Sequence, residues 1–225
     1  MKYFNDYLNE QDKKGWGISF IDVDETVFRT FAEIKVIKGG KEIHSLNNQE
    51  FNSYKLKDGE DFDFGEFRSA EKFNKTSVPI PQTIKRIKKM LSRIRETGSR
   101  SKIIFLTARA DFDDKKTFLA TFEKNGISMD KSNVYVERSG NIATGTTEGK
   151  KKIIMLKYLK EGIYRRARLL DDFKPNLKAL LSIRDNLPKS IEDKVRKIYG
   201  LDDSEESIKF FALWVDEKGN LKEMK

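Results

Sequence analysis

Apolar positions along this chain gather in short runs, and the stretches between them repeat at helical spacing. Residues 17 to 21 (Gly-Ile-Ser-Phe-Ile) read as a strand covered on both faces, the pattern of a parallel sheet. Similar runs follow at 102–106 (Lys-Ile-Ile-Phe-Leu), 133–137 (Asn-Val-Tyr-Val-Glu) and 167–170 (Ala-Arg-Leu-Leu). Between them, Ile84, Ile87, Leu91 and Ile94 share one face of a helix after Pro79 and Pro81, opposite a dense basic face, and Gly98 closes it. Further helices are predicted over about 115–124, ending at Asn125-Gly126, and over about 149–160. Tyr3, Phe4, Tyr7 and Leu8 predict a short amphipathic helix ahead of Trp16. Strands alternating with helices imply right-handed crossovers, hence an α/β sandwich of three layers, Rossmann-like, around a central parallel sheet.

One segment departs from this alternation. Residues 32–46 alternate apolar and polar on both sides of Gly39-Gly40, which predicts a hairpin because both turn positions tolerate positive φ. Residues 47–78 are polar, aromatic and acidic without clear periodicity. The organisation expected is therefore a core of 1–31 and 79–225, with 32–78 inserted as a flap hairpin and small cap. The tail from about Ser207 reads as a strand and a turn, with no functional reading attached.

Composition narrows the chemistry. In 225 residues there is no cysteine, so disulfides, thiolate metal sites and cysteine nucleophiles are excluded. The single histidine, His44, rules out a histidine metal cluster and sits in the hairpin as an ordinary residue. Carboxylates are the ordinary metal ligands that remain. No apolar stretch approaches the roughly 20 residues that a membrane helix needs, and the first residues lack the apolar core of a secretion signal, so a cytoplasmic protein is expected. Lys and Arg number 45 against 36 Asp and Glu, a net charge of +9 that permits a polyanionic partner without demanding one.

In an open α/β sheet the site lies beyond the carboxyl ends of the strands. Three predicted strands end in reactive groups: Asp22-Val23-Asp24-Glu25-Thr26, Thr107-Ala108-Arg109, and Asp171-Asp172. Acids delivered this way can converge on one hard cation with oxygen ligands, for which Mg2+ is the natural choice; without it they would repel and raise one another's pKa. Two glycine-bearing stretches are decoys. Residues 145–151 (Gly-Thr-Thr-Glu-Gly-Lys-Lys) have one residue too few between the glycines for a P-loop and Lys151 where Ser or Thr is needed, and Gly15-Trp16-Gly17 lacks the later glycine of a dinucleotide fingerprint.

Taken together, these residues resemble the haloacid dehalogenase (HAD) superfamily of phosphohydrolases. Its first motif, an apolar strand and Asp-x-Asp-x-Thr, matches residues 18–26; its second is similar to Thr107 after an apolar strand. Its third, a lysine opening a helix, is similar to Lys150, Lys151 or Lys152, with Lys151 the first choice because of where a helix start near Thr147 puts it; its fourth is similar to Asp171-Asp172, although Leu170 stands where a glycine often precedes the pair. The likeness runs in family order over 17 to about 180.

The resemblance implies a Mg2+-dependent phosphatase acting on phosphomonoesters. Asp22 would attack phosphorus to give an aspartyl-phosphate, and Asp24 would act as general acid and then base, a role worth about 10² to 10⁴ in rate. Asp22, the Asp24 carbonyl, Asp171 and Asp172 would hold the Mg2+, while Thr107 and Lys151 would stabilise the phosphoryl oxygens. Arg109 is read either as a bidentate grip on substrate phosphate or as a structural ion pair with Asp111 or Asp113. A flap this short and polar implies a rather open site. The partner expected is a phosphorylated small molecule; a nucleic-acid end, met by a 3'-phosphatase-like enzyme, and a catalytically inactive HAD-shaped binding protein stand as alternatives.

Overall fold

The computed structural model describes residues 15–129 and 132–225; the helix expected over Tyr3 to Leu8 lies outside them. Strand β1 (Trp16–Ile21) leads through short β2 (Phe28–Arg29) to a hairpin of β3 (Ile34–Lys38) and β4 (Lys41–Leu46), then helix α1 (Asn48–Ser53) and β5 (Glu60–Asp63). Helices α2 (Gly65–Arg68) and α3 (Ala70–Thr76) and short β6 (Val78–Pro79) return the chain to the body. From there α4 (Pro81–Glu96), β7 (Lys102–Thr107), α5 (Lys115–Lys124), β8 (Val134–Arg138), α6 (Thr147–Leu159) and β9 (Tyr164–Asp171) alternate as the pattern predicts. Helices α7 (Lys174–Asp185) and α8 (Lys189–Tyr199), which like α1 to α3 lie beyond those predicted, precede β10 (Lys209–Val215) and β11 (Leu221–Met224).

The central sheet has six strands in the order β11-β10-β9-β1-β7-β8, all parallel except β11, which pairs antiparallel with β10 at one edge. β1 lies in the middle, with Ile21 beside both Phe105 and Leu170. Its residues divide between two cores because side chains alternate across a strand. Ile18 and Phe20 join the cluster formed with α6, α7 and α8, and Ile21 joins the one formed with α4 and α5. Helices thus flank the sheet on both faces, a Rossmann-like α/β arrangement. Among the described residues no helix is long and apolar enough to cross a membrane.

β9 begins earlier than its apolar run suggests, because Tyr164, Arg165 and Arg166 are buried with it. The guanidinium of Arg165 donates to the carbonyls of Glu206 and Ser207, and that of Arg166 to Gly15. Such donors let charged side chains occupy a buried strand that periodicity alone would end.

The inserted segment forms its own sheet, β4-β3-β5, around Ile34, Val36 and Leu46, with Phe51, Tyr54, Phe62 and Phe67 packed against them. Gly39 and Gly40 form its turn with φ of 58° and 76°, the left-handed region where a Cβ is disfavoured. The end of the segment is tied to the body: Ala70 and Phe73 of α3 enter the main core, and the Phe73 ring stacks on Phe118 at 4.8 Å.

Candidate active site

The strand register brings the acids together. Ile21 pairs with Leu170, and the Asp22 N–H donates to the Leu170 carbonyl at 2.9 Å, so Asp22 and Asp171 leave neighbouring strands side by side. One carboxylate oxygen each from Asp22, Asp171 and Asp172 lies within 4.8 Å of the others. Of the three lysine candidates, Lys151 is the one that reaches them. Its Nζ donates to Asp22 Oδ1 at 2.6 Å and to Asp171 Oδ2 at 2.9 Å, and only 1% of the residue is exposed. The helix start carries it there: Thr146 caps α6 by accepting from the Gly149 N–H, so the stretch that mimics a P-loop is a helix cap and first turn.

Two residues outside the expected set hold these acids in place. Asn176, in the first turn of α7, donates to both oxygens of Asp171 at 3.0 Å, beside the Phe173 N–H that donates to Asp171 Oδ1 at 2.9 Å. Thr26 accepts from the Asp172 N–H at 3.1 Å and donates to its Oδ1 at 3.3 Å. Thr26 was visible as the last letter of the first motif. Asn176 had only a weak signal, its place after Pro175 at a helix start five residues past Asp171.

Asp24 faces a different partner. The chain doubles back after it, with Val27 and Phe28 N–H groups both reaching the Val23 carbonyl and Glu25 held at φ 59°. Arg109 is an ion-pair residue, but its carboxylate is Asp24 and neither Asp111 nor Asp113. Its Nη2 donates to Asp24 Oδ1 at 2.7 Å and its Nε to both oxygens at 3.1 Å. Asp111 instead pairs with Arg138, and Asp113 accepts from the Ala70 N–H. The sequence could not choose among these acids, because side-chain direction after a strand depends on the loop path. Thr107 is fully buried under this pair, accepting from the Arg109 N–H at 3.1 Å and donating to Asp24 at 3.4 Å.

Burial raises the Asp22 carboxyl well above the usual carboxylate range; Lys151 opposes the rise, and Asp171, Asp172 and Asp24 add to it. Asp172 is pushed up to about 7, first by burial and then by Asp171. Burial pushes Asp24 the same way, but the Arg109 guanidinium outweighs it and holds that carboxyl below its ordinary value. Burial disfavours the Lys151 charge, yet Asp171 and Asp22 more than reverse this, so the ammonium is held on.

These residues suit a hard divalent cation on two independent grounds. When ionised, Asp22, Asp171 and Asp172 carry three negative charges against one on Lys151, while Asp24 and Arg109 balance, leaving a deficit of two. Asn176 Oδ1, another oxygen donor, is buried without a hydrogen-bond partner among the described residues.

A cavity of about 390 Å³ opens over the acids, lined by Asp22, Asp24, Lys150, Lys151, Asp171, Asp172 and Asn176 on the body side. The flap closes over it more than its polar composition suggests, contributing Ile34, Phe51, Phe64, Phe67 and Arg68 to the wall. Lys152 is not among the lining residues, and neither is Thr107. The sequence matches no protein-family model and no curated protein.

Proposed function

We propose that this chain is a Mg2+-dependent phosphatase of the HAD type, hydrolysing a phosphomonoester through an aspartyl-phosphate on Asp22. One observation carries the reading: three carboxylates from two neighbouring strand ends, two of them buried, lie within 4.8 Å of one another at the floor of a cavity, with a buried lysine bridging the buried pair. A surface acid cluster would need no such lysine, and a purely structural ion pair would need no cavity.

Asp22, Asp171 and Asp172 would hold the ion together with the Asp24 carbonyl and Asn176 Oδ1. Bound there, Mg2+ supplies charge neutralisation and orientation for the phosphoryl oxygens. Asp22 is the nucleophile; Lys151 opposes the effect of burial on its carboxylate and remains beside the attacked phosphoryl group as a fixed positive charge. Arg109 keeps Asp24 anionic, the state a general base needs to activate water in the second half-reaction. In the first half-reaction the negative charge of an incoming phosphoryl group raises the Asp24 pKa, so that the acid can carry a proton to the leaving oxygen.

The basic residues of α4 do not line this cavity; Lys85 and Lys88 border a separate surface depression with Lys124. Nothing therefore favours a nucleic-acid end over a small ester. The test is hydrolysis of a panel of phosphate esters with Mg2+, compared with EDTA and with Asp22→Asn. Mg2+-dependent turnover that falls more than about 10³-fold in Asp22→Asn is expected. Equal inactivity of both proteins across the panel would leave the HAD-shaped binding protein as the better reading.

A further inference from the structure

The flap's aromatic residues divide into two groups. Phe51, Tyr54, Phe62 and Phe67 pack against Ile34, Val36 and Leu46, so their apolar surface is explained by the flap's own core. Phe64 stands apart from that core set. It is 42% exposed, lines the cavity, and meets Phe51 edge-on at 5.5 Å and the tilted Phe62 ring at 5.9 Å. This leaves a large apolar ring partly open at the wall of a polar site.

One side chain links this wall directly to the acids. Arg109 grips Asp24 with Nη2 and Nε, while its Nη1 donates to the Phe67 carbonyl at 3.0 Å and its guanidinium lies 4.6 Å from the Phe67 ring centre. The aromatic wall is therefore anchored to the acid that serves the leaving oxygen, and Phe67, Phe64 and Phe51 line the same cavity as that acid. The cavity volume of about 390 Å³ lies within the range of small-molecule sites.

We infer that this wall is a subsite for a planar ring in the leaving group, so that the substrate class is ring-bearing phosphomonoesters, of which nucleoside monophosphates are the test case. The inference rests on the phosphatase reading above for the placement of the phosphate. A flat ring can stack on a phenylalanine or meet its edge without hydrogen bonds, which suits a wall made of carbon. Arg68 and Lys150, which line the same cavity, outnumber Glu25 there and add positive charge that draws in a dianionic ester.

Adenosine monophosphate and ribose 5-phosphate share sugar and phosphate and differ only in the base. Their affinities for the Asp22→Asn protein with Mg2+, measured calorimetrically, should differ by about 10- to 100-fold in favour of the nucleotide, the range expected of one base stacking on aromatic rings. Adding Phe64→Ala should bring the ratio to within about threefold, and Phe64→Tyr should restore it. Equal affinities, no binding of either compound, or a ratio indifferent to Phe64→Ala would overturn the subsite. Turnover of both esters by the unaltered protein separates the two readings. Hydrolysis with equal affinities removes the ring subsite and leaves the phosphatase, whereas ring-selective binding without hydrolysis of any ester removes the phosphatase and leaves the subsite.

Discussion

Lys151 is an ammonium with 1% exposure, tolerable only because two carboxylates accept from it. Its neighbours in sequence show how local the requirement is: Lys150 and Lys152 are partly exposed where Lys151 is buried. Replacing Lys151 by methionine keeps the length and removes the charge, leaving Asp22, Asp171 and Asp172 to repel one another. Urea unfolding without metal should show a loss of about 3–5 kcal/mol for Lys151→Met, against less than about 0.5 kcal/mol for Lys152→Met. Equal effects would mean that the buried bridge does not hold the acids. The motif acids were legible from sequence because Asp22, Asp24 and Thr26 are fixed relative to one another by a short turn. The identity of the lysine depended on the phase of α6, which hinges on its cap at Thr146.

At the level of elements, the strand-end loops must pack closely to aim these groups. The loop after β8 lies against the loop after β7 with no room for a side chain at Gly140: an added Cβ would come within 2.6 Å of the Ala110 nitrogen and 2.7 Å of the Arg109 carbonyl carbon, both backbone atoms that cannot turn aside. Ser139 next to it donates to the Thr107 carbonyl at 3.0 Å. Gly140→Ala should therefore destabilise the fold by about 1–3 kcal/mol and shift Arg109 away from Asp24. The readouts are a lower melting temperature together with a changed pH profile of turnover, since Asp24 loses the cation that keeps it ionised. A melting temperature and profile like those of the parent would show that the loops yield. This contact was invisible in the sequence; Gly140 matters because two loops far apart in sequence meet there.

For the whole molecule, the acids at the strand ends couple stability to pH and, on the proposed reading, to metal. An unfolded aspartate titrates near about 3.9, while folded Asp172 does so at about 7 and Asp22 is also raised. Between those values the folded chain holds protons that the unfolded chain has lost, so stability is full below about pH 4 on this account and falls as pH rises through 7. Asp24 works the other way: held low by Arg109, it contributes stability that is lost only as pH drops below the unfolded value. Melting in EDTA should thus fall between pH 5 and 7.5, and saturating Mg2+ should flatten the curve because the ion takes the place of the protons. Coincident curves with EDTA and Mg2+ would remove the ion from this site.

What the sequence determined by itself follows from short-range rules. Unbroken apolar runs and 3.6-residue spacing specify strands and helices, their alternation specifies a parallel sheet, and the crossover rule sends Asp22, Thr107 and Asp171 to one edge of it. Tertiary structure decided which of those groups touch. Arg109 chose Asp24 over two nearer acids, Thr107 ended beneath that pair, Asn176 joined from a helix that the pattern did not predict, and the flap's scattered phenylalanines became a wall. The reason is physical: periodicity records which face of an element is buried, whereas the partner of a charged side chain is set by loop paths and packing between elements distant in sequence.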